Sequence, residues 1–258
     1  MIFDLQNASL WKRISAWLFD FIMLGIVVVG VALLMSKVMG YEQYTDTMDA
    51  AYAKYEAQYD TDFEMTPETY DALTPEQKQA YEDAVVAMSK DEEAMKAFSM
   101  MANLSLVITS LSILAGYLIL ELIVPLFFGN GQTLGKKIFG IGVMRTDGVR
   151  ISTVQLFIRT VLGKYTIETM IPVLVVMMIF FGFLGLPGTM LMGALALIQL
   201  ILIIATHTNS LIHDCLAGTV VVDVASQMIF DTEEAMIESK KQFYAEQAAR
   251  RLHVSRYK

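Results

Sequence analysis

Four long apolar runs dominate the pattern of hydrophobic and polar positions. The first covers about residues 14–35, and its only charged residue is Asp20. The second covers about 104–128, and its only charged residue is Glu121. The third and fourth lie within about 167–206, broken at Gly185-Leu186-Pro187-Gly188. At 1.5 Å of rise per residue each run reaches across a hydrocarbon core of roughly 30 Å, the last two only just. The pattern predicts an all-α membrane protein with four transmembrane helices. Residues 1–40 hold the N-terminus and first span, 41–100 an external helical insert, and 101–128 the second span. Residues 129–165 form a cytoplasmic hairpin and interfacial helix, 166–206 the last two spans, and 207–258 a cytoplasmic segment with a C-terminal helix.

The stretches between the runs carry their own signals. Thr66-Pro67-Glu68-Thr69 and Thr74-Pro75-Glu76-Gln77 each place Pro at the first helical position after a Thr cap, and Gln77 completes a capping box. Tyr41, Tyr44, Met48, Tyr52, Tyr55 and Tyr59 recur at spacings of three and four. Such a stripe packs one helix against another, and this helix would extend the first span. Asp147-Gly148, between the β-prone runs 141–146 and 149–152, is a strong hairpin signal. Ser152 can cap an amphipathic helix over 153–162 lying at the inner membrane surface. Residues 218–223 read as a further short strand, and 231–251 as a charged helix.

Composition agrees: 55% of the 258 residues are hydrophobic, and the excess is gathered in the runs instead of being spread as in a soluble core. The net charge of −8 hides an asymmetry. Residues 41–98 hold 15 acidic and 4 basic side chains, leaving 12 acidic and 15 basic elsewhere. Lys12 and Arg13 precede the first span, six Lys and Arg lie between the second and third, and six follow the fourth. Positive charge marks the cytoplasmic side, so both termini are expected inside and the acidic segment outside. The first run is too long for the apolar core of a signal peptide and reads as a retained helix. With Cys215 alone, no intrachain disulfide is expected.

Ionisable groups inside spans are costly and therefore mark function. Asp20 and Glu121 fall at similar depth near the cytoplasmic side, each on the order of 10 Å in. Two carboxylates so placed would share a proton or bind a cation together; otherwise each is paired or capped and only fixes packing. Arg13 would snorkel to the head groups or meet an acidic partner from another segment, and Asp214 is the candidate. His207, His213 and Asp214 match no zinc spacing, so no metal or other cofactor is expected. The glycine-rich 129–140 stretch fails as a phosphate loop: Asn130 and Lys137 stand where a Walker A motif needs Gly and Ser or Thr.

Taken together, these residues resemble the RDD family of small bacterial membrane proteins, named for one arginine and two aspartates. The matching residues are Arg13 and Asp20 in the first span and Asp214 after the fourth. The middle signature resembles Gly131, Thr133, Gly135, Lys136 and Gly140, followed by Asp147, Gly148 and Arg159. Gly218 and Thr219 belong to the last block. The resemblance implies a helical membrane domain, for which transport, including cation–proton exchange, has been suggested. It supplies no substrate, and it does not extend to the insert 41–98 or the tail after Asp223.

Two functions stay open from sequence. One is a transporter of a small solute or cation, coupled to protons, using Arg13, Asp20, Glu121 and Asp214 in a cell membrane. The other is a non-transporting scaffold that binds a partner through its external helices or tail. The bilayer is the expected partner, with a homodimer or membrane partner protein open and no nucleic acid. No nucleophile–base spacing stands out, so no enzyme activity is expected.

Overall fold

The computed structural model describes residues 5–180 and 184–255. Among these residues four helices are long and apolar enough to cross a membrane: α1 (Leu10–Val38), α5 (Glu92–Phe128), α7 (Thr153–Ile179) and α8 (Gly185–Ala205). Between and after them lie α2 (Tyr41–Tyr59), α3 (Pro67–Asp71), α4 (Pro75–Met88), α6 (Leu134–Ile138), α9 (Ile212–Ala217) and α10 (Glu233–Ser255). Two strands, β1 (Ile141–Arg145) and β2 (Thr219–Asp223), complete the set.

The chain forms two compact units, one of residues 28–112 and one of 1–27 with 113–258. In the first, α2 packs on α5 through Met48, Ala51, Ala94 and Ala97. These are mostly small side chains, which let the helices approach closely. Asp91 caps α5 by accepting from the Glu93 and Ala94 amides, and it also accepts from Lys54 and Tyr55. The tyrosine stripe divides. Tyr55 is buried, while Tyr52 turns to Phe63, which leads by edge contacts to Tyr81 and Tyr70. Both Thr caps form as expected. Instead of extending the first span, the stripe sits on a separate helix, because Gly40 takes a left-handed turn (φ 66°) between α1 and α2.

In the second unit β1 pairs antiparallel with β2, Ile141 opposite Asp223 and Arg145 opposite Thr219. The Asp147-Gly148 turn forms, with the Gly148 amide donating to the Arg145 carbonyl at 3.1 Å. Among the described residues its return arm bridges β1 once, Met144 to Arg150, and its Val149 bridges Phe230 instead. The ladder belongs to β2 because Val220 and Val222 bury fully beside Met144, whereas Arg150 is exposed. On its other edge β2 holds the N-terminal segment: the Ala8 amide donates to Val221 and Asp223 donates to Gln6.

Two further expectations are corrected. The helix expected at the membrane surface over 153–162 is not separate. It is the first part of α7 and runs into the third span without a break, because residues 158–170 stay helical with wider, i→i+5 hydrogen bonding. The break between the last two spans precedes Gly185, and Pro187 sits in the first turn of α8, where a missing N–H costs nothing. Residues 181–183 lie outside the described residues.

Gly163 marks a close approach of α7 to α9. A Cβ there would stand 2.5 Å from His213 Cβ and 2.6 Å from His213 Cα. The obstruction is backbone and its first side-chain carbon, so neither can rotate away. Gly163→Ala is expected to cost about 1–3 kcal/mol, read as a lower melting temperature of the detergent-solubilised protein. Gly193→Ala, with open space around the new methyl, should leave it unchanged or slightly raised. Equal melting of the two variants would refute the close contact.

Candidate functional site

Sequence chemistry builds this site in three steps. First, α6 is docked on α1. Thr133 caps α6, its Oγ1 accepting from the Lys136 amide at 3.3 Å. The same hydroxyl donates to Asp20 Oδ2 at 2.5 Å, and the Gly135 amide donates to Asp20 Oδ1 at 2.7 Å. Asp20 therefore serves as a second cap, its negative charge facing the amide end of a short helix. Residue 135 must be glycine for this fit, because a Cβ would come within 2.3 Å of the Ala16 carbonyl oxygen. Upstream, Gln132 donates to Ile141 and Asn130 accepts from Val143, tying the glycine-rich stretch to β1.

Second, docking α6 buries Lys136, which is only 7% exposed. Its Nζ stands 3.7 Å from Glu121 Oε2. Glu121 is also 7% exposed and accepts from Lys164 Nζ at 2.5 Å through its other oxygen. Burial pushes the Lys136 ammonium down to about 7, with the neighbouring Lys164 and Arg159 cations adding to the effect and Glu121 and Asp20 opposing it.

Third, α7 and α9 bring a second charge cluster beside the first. Arg159 donates from Nε to Asp214 Oδ1 at 2.9 Å, and its Nη2 lies at the same distance from that oxygen. Both residues are 1% exposed. Thr219 Oγ1 also donates to Asp214 Oδ1 at 3.0 Å. Arg13 reaches the other oxygen at 3.8 Å and donates to the Thr208 carbonyl at 3.1 Å. Despite the cost of burial, the Arg159 guanidinium, His213 and Arg13 hold Asp214 well below the usual carboxylate range. His213 lies between two carboxylates, its Nδ1 2.7 Å from Glu168 Oε2 and its Nε2 3.5 Å from Asp214 Oδ2. Burial lowers its pKa, against the pull of Asp214 and Glu168.

These groups surround one cavity of about 310 Å³. The expected residues Arg13, Asp20, Glu121 and Asp214 all line it, as do Arg159 and Lys136 of the signature. Asp20 and Glu121 do not form the carboxylate pair expected from their depth. Asp20 caps α6, and Glu121 faces two lysines. Gly131 and Gly140 shape the loop, Asp147 and Gly148 the turn, and Gly218 ends α9 with a left-handed φ of 62°. Those five do not line the cavity.

Sequence reading missed Lys164 and Glu168, and it considered His213 only as a metal ligand. Among the described residues no cluster of His, Cys, Asp and Glu is arranged to hold a metal ion. The missed signal is the spacing of Arg159, Lys164 and Glu168. In an ordinary α-helix Glu168 faces away from Arg159, at roughly 180°. The i→i+5 winding of 158–170, at roughly 4.4 residues per turn, returns Glu168 to within about 20° of Arg159.

The model of the RDD family matches residues 7–218. No curated protein and no solved structure matches the chain.

Proposed function

This chain belongs to the RDD family, and we propose that it carries a small polar solute or cation across the cell membrane, with proton exchange at Lys136. The observation behind this reading is the slack ion pair between Lys136 and Glu121. Its two facing atoms are buried, 3.7 Å apart, and without hydrogen-bond partners among the described residues. A contact that long leaves the charges poorly compensated in a low-dielectric site. Either the proton on Lys136 leaves to solvent, or a guest inserts between the walls and completes their hydrogen bonds. The proton and the guest are thereby linked, which is the minimum a coupled carrier needs. Four groups set that linkage by facing the ammonium: Glu121 and Asp20 hold the proton, while Lys164 and Arg159 expel it.

The topology follows from the basic residues flanking the spans, with both termini cytoplasmic and the acidic insert outside. That places the cavity near the inner face, where the proton exchanges with the cytoplasm.

The test uses purified protein in liposomes loaded with a pH-sensitive dye. Sodium, potassium and neutral amino acids are added outside in turn. At least one should drive a proton flux above that of empty liposomes. Lys136→Met should cut that flux by about tenfold or more, a loss equal to about 1.4 kcal/mol of coupling. Lys137→Met removes the exposed neighbouring charge and should leave it intact. Equal flux in Lys136→Met and wild type would remove Lys136 from the mechanism. No flux with any solute would return the cavity to a purely structural role.

A further inference from the structure

We propose that the cavity binds a small zwitterion with an apolar body, a free neutral amino acid being the simplest example. This names the substrate class of the site and rests on the carrier reading only for its transport consequence.

Two donors and two acceptors on side chains that line the cavity lack hydrogen-bond partners among the described residues. The donors are Lys136 Nζ and Arg159 Nη1, and the acceptors are Glu121 Oε2 and Asp214 Oδ2. All four side chains are more than nine-tenths buried. Buried polar groups are almost always satisfied, so four on one cavity call for a ligand with matching groups. A carboxylate offers two oxygens to the two cationic donors, and an ammonium offers three N–H groups to the two carboxylates.

Charge balance separates this ligand from its rivals. Four carboxylates and four Lys or Arg side chains line the cavity, so the wall is neutral when His213 is neutral, the form its burial favours. A lone cation or anion would leave one uncompensated charge in a buried site, which is expensive. A zwitterion adds none. Apart from Asn209, the rest of the wall is aliphatic and aromatic, with Trp17 and Phe21 stacked 5.4 Å apart along one side. That surface would be wasted on a bare ion but suits a hydrocarbon side chain. The volume of about 310 Å³ is at the small end for ligand pockets.

The proposal also gives the proton its place. A ligand carboxylate against Lys136 favours the ammonium form, so above about pH 7, where the empty site has lost that proton, binding draws a proton from solvent onto Lys136 Nζ and release returns it. Binding should therefore strengthen as pH falls toward about 7 and level off below it.

The experiment is calorimetric titration of the full chain in detergent with three probes that share one hydrocarbon body. L-leucine carries both charges, isoamylamine only the ammonium, and 4-methylvalerate only the carboxylate. Leucine should bind saturably, and each single-charge probe at least about tenfold more weakly. Lys136→Gln should weaken leucine binding and leave isoamylamine binding as strong or stronger, since the wall then carries one excess negative charge. The three-probe comparison needs no variant, so it stands even if Lys136→Gln misfolds. If isoamylamine or sodium binds as well as leucine, the site is a cation site and the proposal fails. Equal binding of 4-methylvalerate makes it an anion site, and no binding of leucine ends the proposal outright. Leucine binding without proton flux in liposomes keeps the ligand class and removes transport. Cation-driven flux without leucine binding does the reverse.

Discussion

Replacing Asp214 with leucine is expected to destabilise the protein by about 3–5 kcal/mol, the cost of stranding a buried charge. Asp214 accepts from the Arg159 side chain and from Thr219, and it attracts Arg13. Arg159 is 1% exposed and among the described residues makes its hydrogen bond to Asp214 alone, so the variant leaves a buried guanidinium without its hydrogen-bonded counter-ion. Arg13 has a way out, since it keeps its bond to the Thr208 carbonyl and is less buried. The decisive comparison is therefore Asp214→Leu against Asp214→Leu with Arg159→Met. If the single variant suffers from a stranded charge, removing that charge should restore most of the melting temperature, because apolar replacement of a buried pair is often near neutral. Thermal melts followed by size-exclusion chromatography in detergent would measure it. A double variant no better than the single one would mean that the aspartate acts through Thr219 and the α9–β2 turn instead.

The contrast between Asp214 and Asp20 shows what sequence could and could not supply. Both stood out for one reason, a carboxylate beside or inside an apolar run, and both line the cavity. Their partners were less accessible. The Arg13–Asp214 approach was legible because opposite charges at two span ends have few other options. Asp20 looked like half of a carboxylate pair with Glu121 because depth was the only coordinate sequence gave. Its actual partners are a hydroxyl and a backbone amide from a loop 113 and 115 residues away, and backbone donors leave no mark in a sequence. The spans were legible because hydropathy acts over twenty residues at once. The winding of 158–170 was not. A 3.6-residue period puts Glu168 and Arg159 on opposite faces, and only the widened helix aligns them. A similar limit applied to the strands. Asp147-Gly148 fixed the turn, but which neighbour completed the ladder depended on the buried valines of β2, more than seventy residues on.

The slack pair at the head of the cavity leads to the second large effect, and pH reveals it. Glu121→Gln removes the shared partner of Lys136 and Lys164, leaving two buried or half-buried ammoniums together. At low pH both are charged and the cost should approach the 3–5 kcal/mol of a broken buried pair. Lys136 has an escape, for it can lose its proton near neutrality. The sign follows from linkage. A lysine whose folded pKa is lowered binds fewer protons folded than unfolded, so stability rises with pH between its folded and unfolded values. In the wild type that window opens at about 7. Without Glu121 to hold the proton it opens lower, so the variant regains stability from below pH 7 while the wild type is still flat. The gap in melting temperature should therefore be widest near pH 5.5 and narrow as pH rises through about 7. Lys164 remains paired with nothing, which keeps the gap from closing entirely. Adding Lys136→Met to Glu121→Gln should abolish the narrowing below pH 7 and let the gap to the wild type widen above it, because the double variant lacks the lysine that gains stability there. If Glu121→Gln alone shows a constant gap from pH 5.5 to 8.5, Lys136 does not exchange its proton near neutrality. The coupling assigned to it would then have no physical basis.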